Sequence, residues 1–182
     1  LYEAGKEKGI HVLDAPVSGG DIGARNAALT IMAGGEYQVF EALLPLLQTM
    51  GANIVYQGKA GAGQHTKLCN QIAIASNMIG VCESLVYAKR AGLDPENVLK
   101  SISGGAAGSF SLTNLAPRIL KGDFEPGFYI KHFIKDLKIV LDETEALGLE
   151  FPGVSLAKSL YDELANEGLG EEGTQALYKY WK

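Results

Sequence analysis

Two stretches of the 182-residue chain combine residue types and spacings that could do chemistry. The first surrounds Lys67. From Leu68 to Cys82 the sequence carries no formal charge, and so apolar a helix is normally buried on most sides. Yet Lys67, Asn70 and Asn77 recur at spacings of three and seven, which keeps them on one helical face. A polar stripe on a buried helix needs partners, in the protein or in a ligand. Lys67 also falls near the start of this helix, where the dipole disfavours a cation. Burial and dipole together would push its pKa down, toward the range useful for proton transfer. The alternative is a lysine snorkelling out at a helix end, with the two asparagines bonding neighbouring backbone.

The second stretch is Asp14-Ala15-Pro16-Val17-Ser18-Gly19-Gly20. A strand ending in Ser-Gly-Gly exposes a hydroxyl and successive backbone N–H groups with no side chains in the way. That arrangement suits a carboxylate, at the strand ends where open α/β sheets bind ligands; a flexible turn is the simpler reading. Lys131, Lys135 and Lys138 form a further stripe, opposite Phe133, Leu137, Val140 and Leu141. By spacing alone it reads as a solvated helix face.

The elements that must position these residues fall into two regions. Residues 1–8 read as a helix stopped by Gly9, and His11–Val17 and Leu29–Met32 as short strands. Glu36–Met50 reads as a helix strained by Pro45, and Asn53–Tyr56 as a last strand. After Gly63 only helical patterns follow: 64–91 closed by Gly92, 95–102 opened by Asp94 and Pro95, and a segment from Ser109 or Ser111 to Lys121 with Pro117 inside it. Helices over 129–147 and 154–167 come next, with a turn or two at the end. The division is therefore an α/β region over 1–60 and an all-α region over 61–182. No G-x-G-x-x-G dinucleotide fingerprint occurs; Gly61-Ala62-Gly63 reads as a helix-opening turn.

A net charge of −5 without a basic cluster argues against nucleic acid as partner and for a small molecule. Cys69 and Cys82, placed on one helix, would lie roughly 20 Å apart. That is beyond disulfide reach, so a reducing, cytoplasmic setting is expected. His11, His65 and His132 are scattered, so no metal site is expected. No stretch reads as a membrane span. The long apolar helix suggests a homo-oligomer, dimer or tetramer.

Together the motifs resemble the β-hydroxyacid dehydrogenases, a family that includes 3-hydroxyisobutyrate dehydrogenase and tartronate semialdehyde (2-hydroxy-3-oxopropionate) reductase. Asp14–Gly20 resembles the family's substrate-binding signature, and Gly61–Gln71 its G-x-G-x-x-x-K-x-x-N segment. Phe128 with Lys135-Asp136 is similar to its F-x6-K-D element. The resemblance implies NAD or NADP as cofactor and a small carboxylate substrate. It also implies Lys67 as general acid/base, Asn70 orienting substrate beside it, Ser18, Gly19 and Gly20 on the substrate carboxylate, and Lys135 near the nicotinamide. The implied fold is mainly α: an all-helical domain like the C-terminal domain of 6-phosphogluconate dehydrogenase, preceded by the last strands of a truncated Rossmann domain. So short a remnant implies that the segment as given does not hold the cofactor as a full enzyme would.

Two positions depart from the family pattern. Ala27 stands where a glycine is common, and Phe110, in the Ser103–Ser111 loop, where tryptophan is frequent. The alternatives are a 6-phosphogluconate dehydrogenase-like enzyme, which spaces its lysine and asparagine one residue further apart, or a non-catalytic oligomerisation module.

Overall fold

Leu29–Gly34 (β2) and Gly51–Gly58 (β3) pair in parallel, with Ile31 opposite Ile54 and Ala33 opposite Tyr56, in a computed structural model that describes residues 1–181. Parallel neighbours need a crossover, and Tyr37–Leu47 (α3) supplies it. Its buried Phe40 and Leu47 join Leu29, Ile31 and Ala33 in a small core edged by Leu13, Leu44 and Tyr56. Tyr56 packs against the rings of Tyr37 and Phe40, with centroids 5.1 and 5.3 Å away, and donates its hydroxyl to the Gly35 carbonyl at 2.8 Å. Pro45 does not end α3, which continues two residues beyond it. Ahead of this unit, Tyr2–Lys6 forms α1, and Gly20–Arg25 forms α2.

The strand expected over His11–Val17 is mostly absent. Only Val17–Ser18 (β1) forms a ladder, antiparallel to β2, with one isolated bridge between Asp14 and Gly34. Pro16 lacks an N–H to give to such a ladder.

The chain divides into two compact units, Leu1–Asn70 and Gln71 onward, and the division falls inside one continuous helix, Ala62–Arg90 (α4). Gly92, at φ 74°, ends α4 in the left-handed conformation that glycine accepts. In the second unit α4 buries Gln71, Ala75, Met78, Cys82 and Leu85, a three–four spacing that faces one side. Pro95–Ile102 (α5) opens as expected, with Asp94 accepting from the Glu96 N–H at 3.0 Å. Ser109 Oγ accepts from the Leu112 N–H at 3.0 Å. The helix then begins with a wide π-type turn, Ser111–Leu115, before Ala116–Leu120 (α6). Pro117 accounts for it: its ring would clash with the carbonyl four residues back in a regular helix.

Ile130–Ala146 (α7) and Pro152–Leu164 (α8) complete this unit. Phe133, Leu137 and Val140 from α7 and Val154, Ala157, Tyr161 and Leu164 from α8 are essentially inaccessible. The ring of Phe133 meets Phe128 and Tyr161 edge-on, at 5.8 and 5.1 Å. Tyr161 donates to the Thr174 carbonyl at 2.9 Å, and complete burial holds its phenol well above the usual range. The final segment is a tight 3₁₀ turn, Thr174–Trp181, which inserts Ala176 and Leu177 into the core.

Both cysteines lie on α4, Cys69 exposed and Cys82 buried. By length and composition α4 is apolar enough to cross a membrane, which the count of uncharged residues from Leu68 to Cys82 did not suggest. Its Gln71, however, is buried in a hydrogen bond to Asp136, as a helix inside a folded core requires.

Candidate active site

Ser18 ends β1 opposite Thr30. Gly19 (φ 128°) and Gly20 (φ 63°) then take conformations that L side chains rarely adopt, turning the chain sharply into α2. A Cβ on Gly19 would also press on Leu29, at 3.2 Å. The two glycines are therefore favoured by the backbone itself. Ser18 is half-buried, and the two glycines are exposed.

Asp14, four residues earlier, is fixed at every atom. Its backbone exchanges hydrogen bonds with Gly34, Asp14 N to Gly34 O at 3.0 Å and Gly34 N to Asp14 O at 2.8 Å. Its carboxylate turns to the start of α4, where Oδ1 accepts from the Gly61 N–H at 2.7 Å and Oδ2 from the Gln64 N–H at 3.0 Å. The first N–H groups of a helix have no partner within it, and here the carboxylate of Asp14, 47 and 50 residues earlier, supplies one. The approach leaves no room for side chains. A Cβ on Gly34 would lie 2.6 Å from Asp14 Oδ2 and 2.8 Å from the Gly63 nitrogen, and one on Gly63 would lie 2.7 Å from the same Oδ2. The Asp14 carboxylate thus meets the N-terminus of the helix that carries Lys67.

Lys67 and Asn70 follow on α4, both half-buried and one turn apart, and Asn77 is half-buried two turns further on. Thr66 steadies the first turn, donating to Ala62 O at 2.8 Å and to Gln57 Oε1 at 3.1 Å. Ser18, Gly19, Gly20, Lys67 and Asn70 thus belong to the same compact unit.

Lys135 belongs to the second unit, on α7. Its side chain is mostly exposed, and its ammonium lies 2.7 Å from Asp136 Oδ1. The other oxygen of Asp136 accepts from Gln71 Nε2 at 2.6 Å. Gln71 is 1% exposed, so Asp136 ties the helix of Lys135 to the residue after Asn70. Lys131 and Lys138 pair with Glu171 and Asp142, each at 2.6 Å, the behaviour of a solvated face. Sequence reasoning missed both the Asp14 cap and the Gln71–Asp136 bond. The available signal was a glutamine inside a helix otherwise free of charge.

Residues 61–181 match the family model described as the NAD-binding domain of NADP-dependent 3-hydroxyisobutyrate dehydrogenase. Residues 1–58 match that of the NAD-binding domain of 6-phosphogluconate dehydrogenase. The chain is 65% identical over its whole length to an uncharacterized oxidoreductase of Bacillus subtilis, covering 63% of it. It is 43% identical to 2-hydroxy-3-oxopropionate reductase of Escherichia coli, with 94% of this chain covering 59% of that one. Among solved structures, 3-hydroxyisobutyrate dehydrogenase of Mycobacterium tuberculosis, described with L-serine, superposes with a TM-score of 0.92 at 30% identity, over 100% of this chain and 64% of that one. The chain thus spans about three-fifths of the length of these relatives. On the match over residues 61–181, the chain belongs to the 3-hydroxyisobutyrate dehydrogenase family of NAD(P)-dependent oxidoreductases.

Proposed function

We propose that the protein containing this chain interconverts a small β-hydroxy acid and its oxo form, of the 3-hydroxyisobutyrate or 2-hydroxy-3-oxopropionate type. The observation that carries the reading is that Asp14, four residues before Ser18 in the segment leading to Ser18-Gly19-Gly20, accepts hydrogen bonds from Gly61 and Gln64 at the start of the helix bearing Lys67 and Asn70. That link supports reading the carboxylate subsite and the proton-transfer group as parts of one site. Ser18 and the Gly19 and Gly20 backbone hold the substrate carboxylate. In the oxidative direction neutral Lys67 takes the hydroxyl proton as the carbon–oxygen double bond forms; in the reductive direction its ammonium returns it. Asn70 holds the same oxygen. When bound, the cofactor accepts or supplies the hydride.

The residues present fit only part of that cofactor. The Gly61–Gln64 turn resembles a phosphate cradle, but its Gly61 and Gln64 N–H groups are taken by Asp14, so it offers a pyrophosphate little. Lys135 is the residue we assign to the nicotinamide side. We read residues 1–60 as the C-terminal part of an NAD(P)-binding Rossmann domain and 61–182 as an all-α substrate and dimerisation domain.

The test is turnover by the full-length protein of 3-hydroxyisobutyrate and 6-phosphogluconate with the oxidised cofactors NAD+ and NADP+, and of tartronate semialdehyde with the reduced cofactors NADH and NADPH. Turnover of an unphosphorylated acid is expected. Activity confined to 6-phosphogluconate would replace this reading with the decarboxylating one.

A further inference from the structure

We propose that Asp14 is a positioning residue that makes the enzyme selective for substrates carrying a carboxylate, by fixing the distance between the Ser18–Gly20 cradle and Lys67. The inference rests on the functional reading above. Asp14 touches neither substrate nor reacting atoms. It joins two short, stiff arms. One runs four residues along extended chain from Asp14 to Ser18, held to β2 by Met32 N to Pro16 O at 3.0 Å. The other runs from Gln64 to Lys67, three helical residues or roughly 4.5 Å along the axis. The joint between them is a charge-assisted, two-point hydrogen bond to Gly61 and Gln64, packed so tightly that Gly34 and Gly63 have no room for a Cβ. A small β-hydroxy acid must reach both arms at once, with a hydrogen bond of roughly 3 Å at each end. An error of about 1 Å in such positioning can cost on the order of a hundredfold in rate.

A substrate without the carboxylate engages only the Lys67 arm, so it is indifferent to that distance. This separates positioning from mere stability: a residue that only held the fold would affect both substrates alike.

The experiment measures kcat/KM of the full-length enzyme for its β-hydroxy acid and for the alcohol of the same skeleton lacking the carboxylate. Two variants loosen the joint from opposite sides. Asp14→Asn replaces one acceptor oxygen with an amide donor. Gln64→Pro removes the Gln64 N–H while proline remains acceptable in the first helical turn, and it decides alone if Asp14→Asn does not fold. We expect the acid-over-alcohol ratio to fall about tenfold or more in each variant. An equal fall for both substrates, or an unchanged ratio, overturns the proposal. If the alcohol is not turned over, the double variant Ser18→Ala with Gln64→Pro decides: effects on kcat/KM that are less than additive support a shared alignment, and additive ones overturn it. Failure of the underlying reading shows separately, as a Lys67→Ala enzyme that keeps its activity.

Discussion

The two compact units are held together by different physics. The first closes around five buried apolar residues and fixes its site with backbone hydrogen bonds, glycines at near contact and a single carboxylate. The second interdigitates α4, α6, α7, α8 and the final 3₁₀ turn over a much larger set of inaccessible side chains. Burial of apolar area is non-directional and spreads its cost over many contacts, whereas a hydrogen-bonded joint depends on a few atoms. The candidate chemistry of Ser18 and Lys67 sits in the unit of the second kind of bonding, where one atom moved changes the geometry.

The largest effect should come from the helical core. Phe133→Ala removes a ring that is 1% exposed and packed on Phe128 and Tyr161. It should cost about 3–5 kcal/mol, or roughly 10 °C in Tm. Trp181, the chain's one tryptophan, lies in this unit, so its fluorescence reads the transition. A drop under about 3 °C would mean that this core carries less of the stability than its burial implies.

Gln71→Ala comes next. It leaves Asp136 Oδ2 without its donor and opens a gap in α4. The expected cost is about 2 kcal/mol, with Gln71→Glu worse because it sets two carboxylates together. An unchanged Tm in Gln71→Ala would show that the bond contributes nothing net.

A smaller effect, of opposite sign, is expected in the first unit. Among the described residues, Ala27 is the non-glycine residue held at positive φ, 50°. A left-handed conformation costs an L residue roughly 1–2 kcal/mol, partly offset by glycine's freer unfolded chain. Ala27→Gly should therefore stabilise by about 0.5 kcal/mol. Hydrogen exchange of β2 amides is the readout, and faster exchange in the variant would contradict it.

The smallest effect is electrostatic. The Arg118 guanidinium, bonded to Asp123 at 2.7 and 3.0 Å, and then the Glu125 N–H hold the Asp123 carboxyl below its usual range. A depressed folded pKa gives stability that is present above the ordinary carboxylate pKa and lost as pH falls through the folded value. Asp123→Asn should thus lower Tm at pH 7, by no more than about 2 °C for so exposed a pair. The gap should begin to narrow below about pH 4 and close only below the lowered folded value. A gap that persisted in acid would assign the effect to packing.

How much of this was legible in the sequence follows the same division. The helical unit was readable because its signals are local: Asp94 and Pro95 open α5, Gly92 and Gly148 close α4 and α7, and Phe133, Leu137 and Val140 recur at helical spacing. The Lys67–Asn70 and Ser18–Gly20 motifs were readable as types in order. Their connection was not, because Asp14 meets its partners 47 and 50 residues away, and no periodicity encodes such a contact. Gln71 and Asp136 are 65 residues apart and hidden for the same reason. At Ala27 the family's usual glycine was visible, but the positive φ that explains it belongs to the turn between α2 and β2. Pro117 was visible inside the segment running to Lys121, but the wide turn ahead of it was not.

The central claim is that Lys67 moves the proton. The most direct measurement is kcat of the full-length enzyme with Lys67→Ala, at saturating cofactor and β-hydroxy acid, with folding checked by circular dichroism. Loss of a general acid/base predicts a fall on the order of a hundredfold or more, with Tm close to that of the unaltered protein. A folded variant within threefold of the original rate would remove Lys67 from the chemistry and contradict the account.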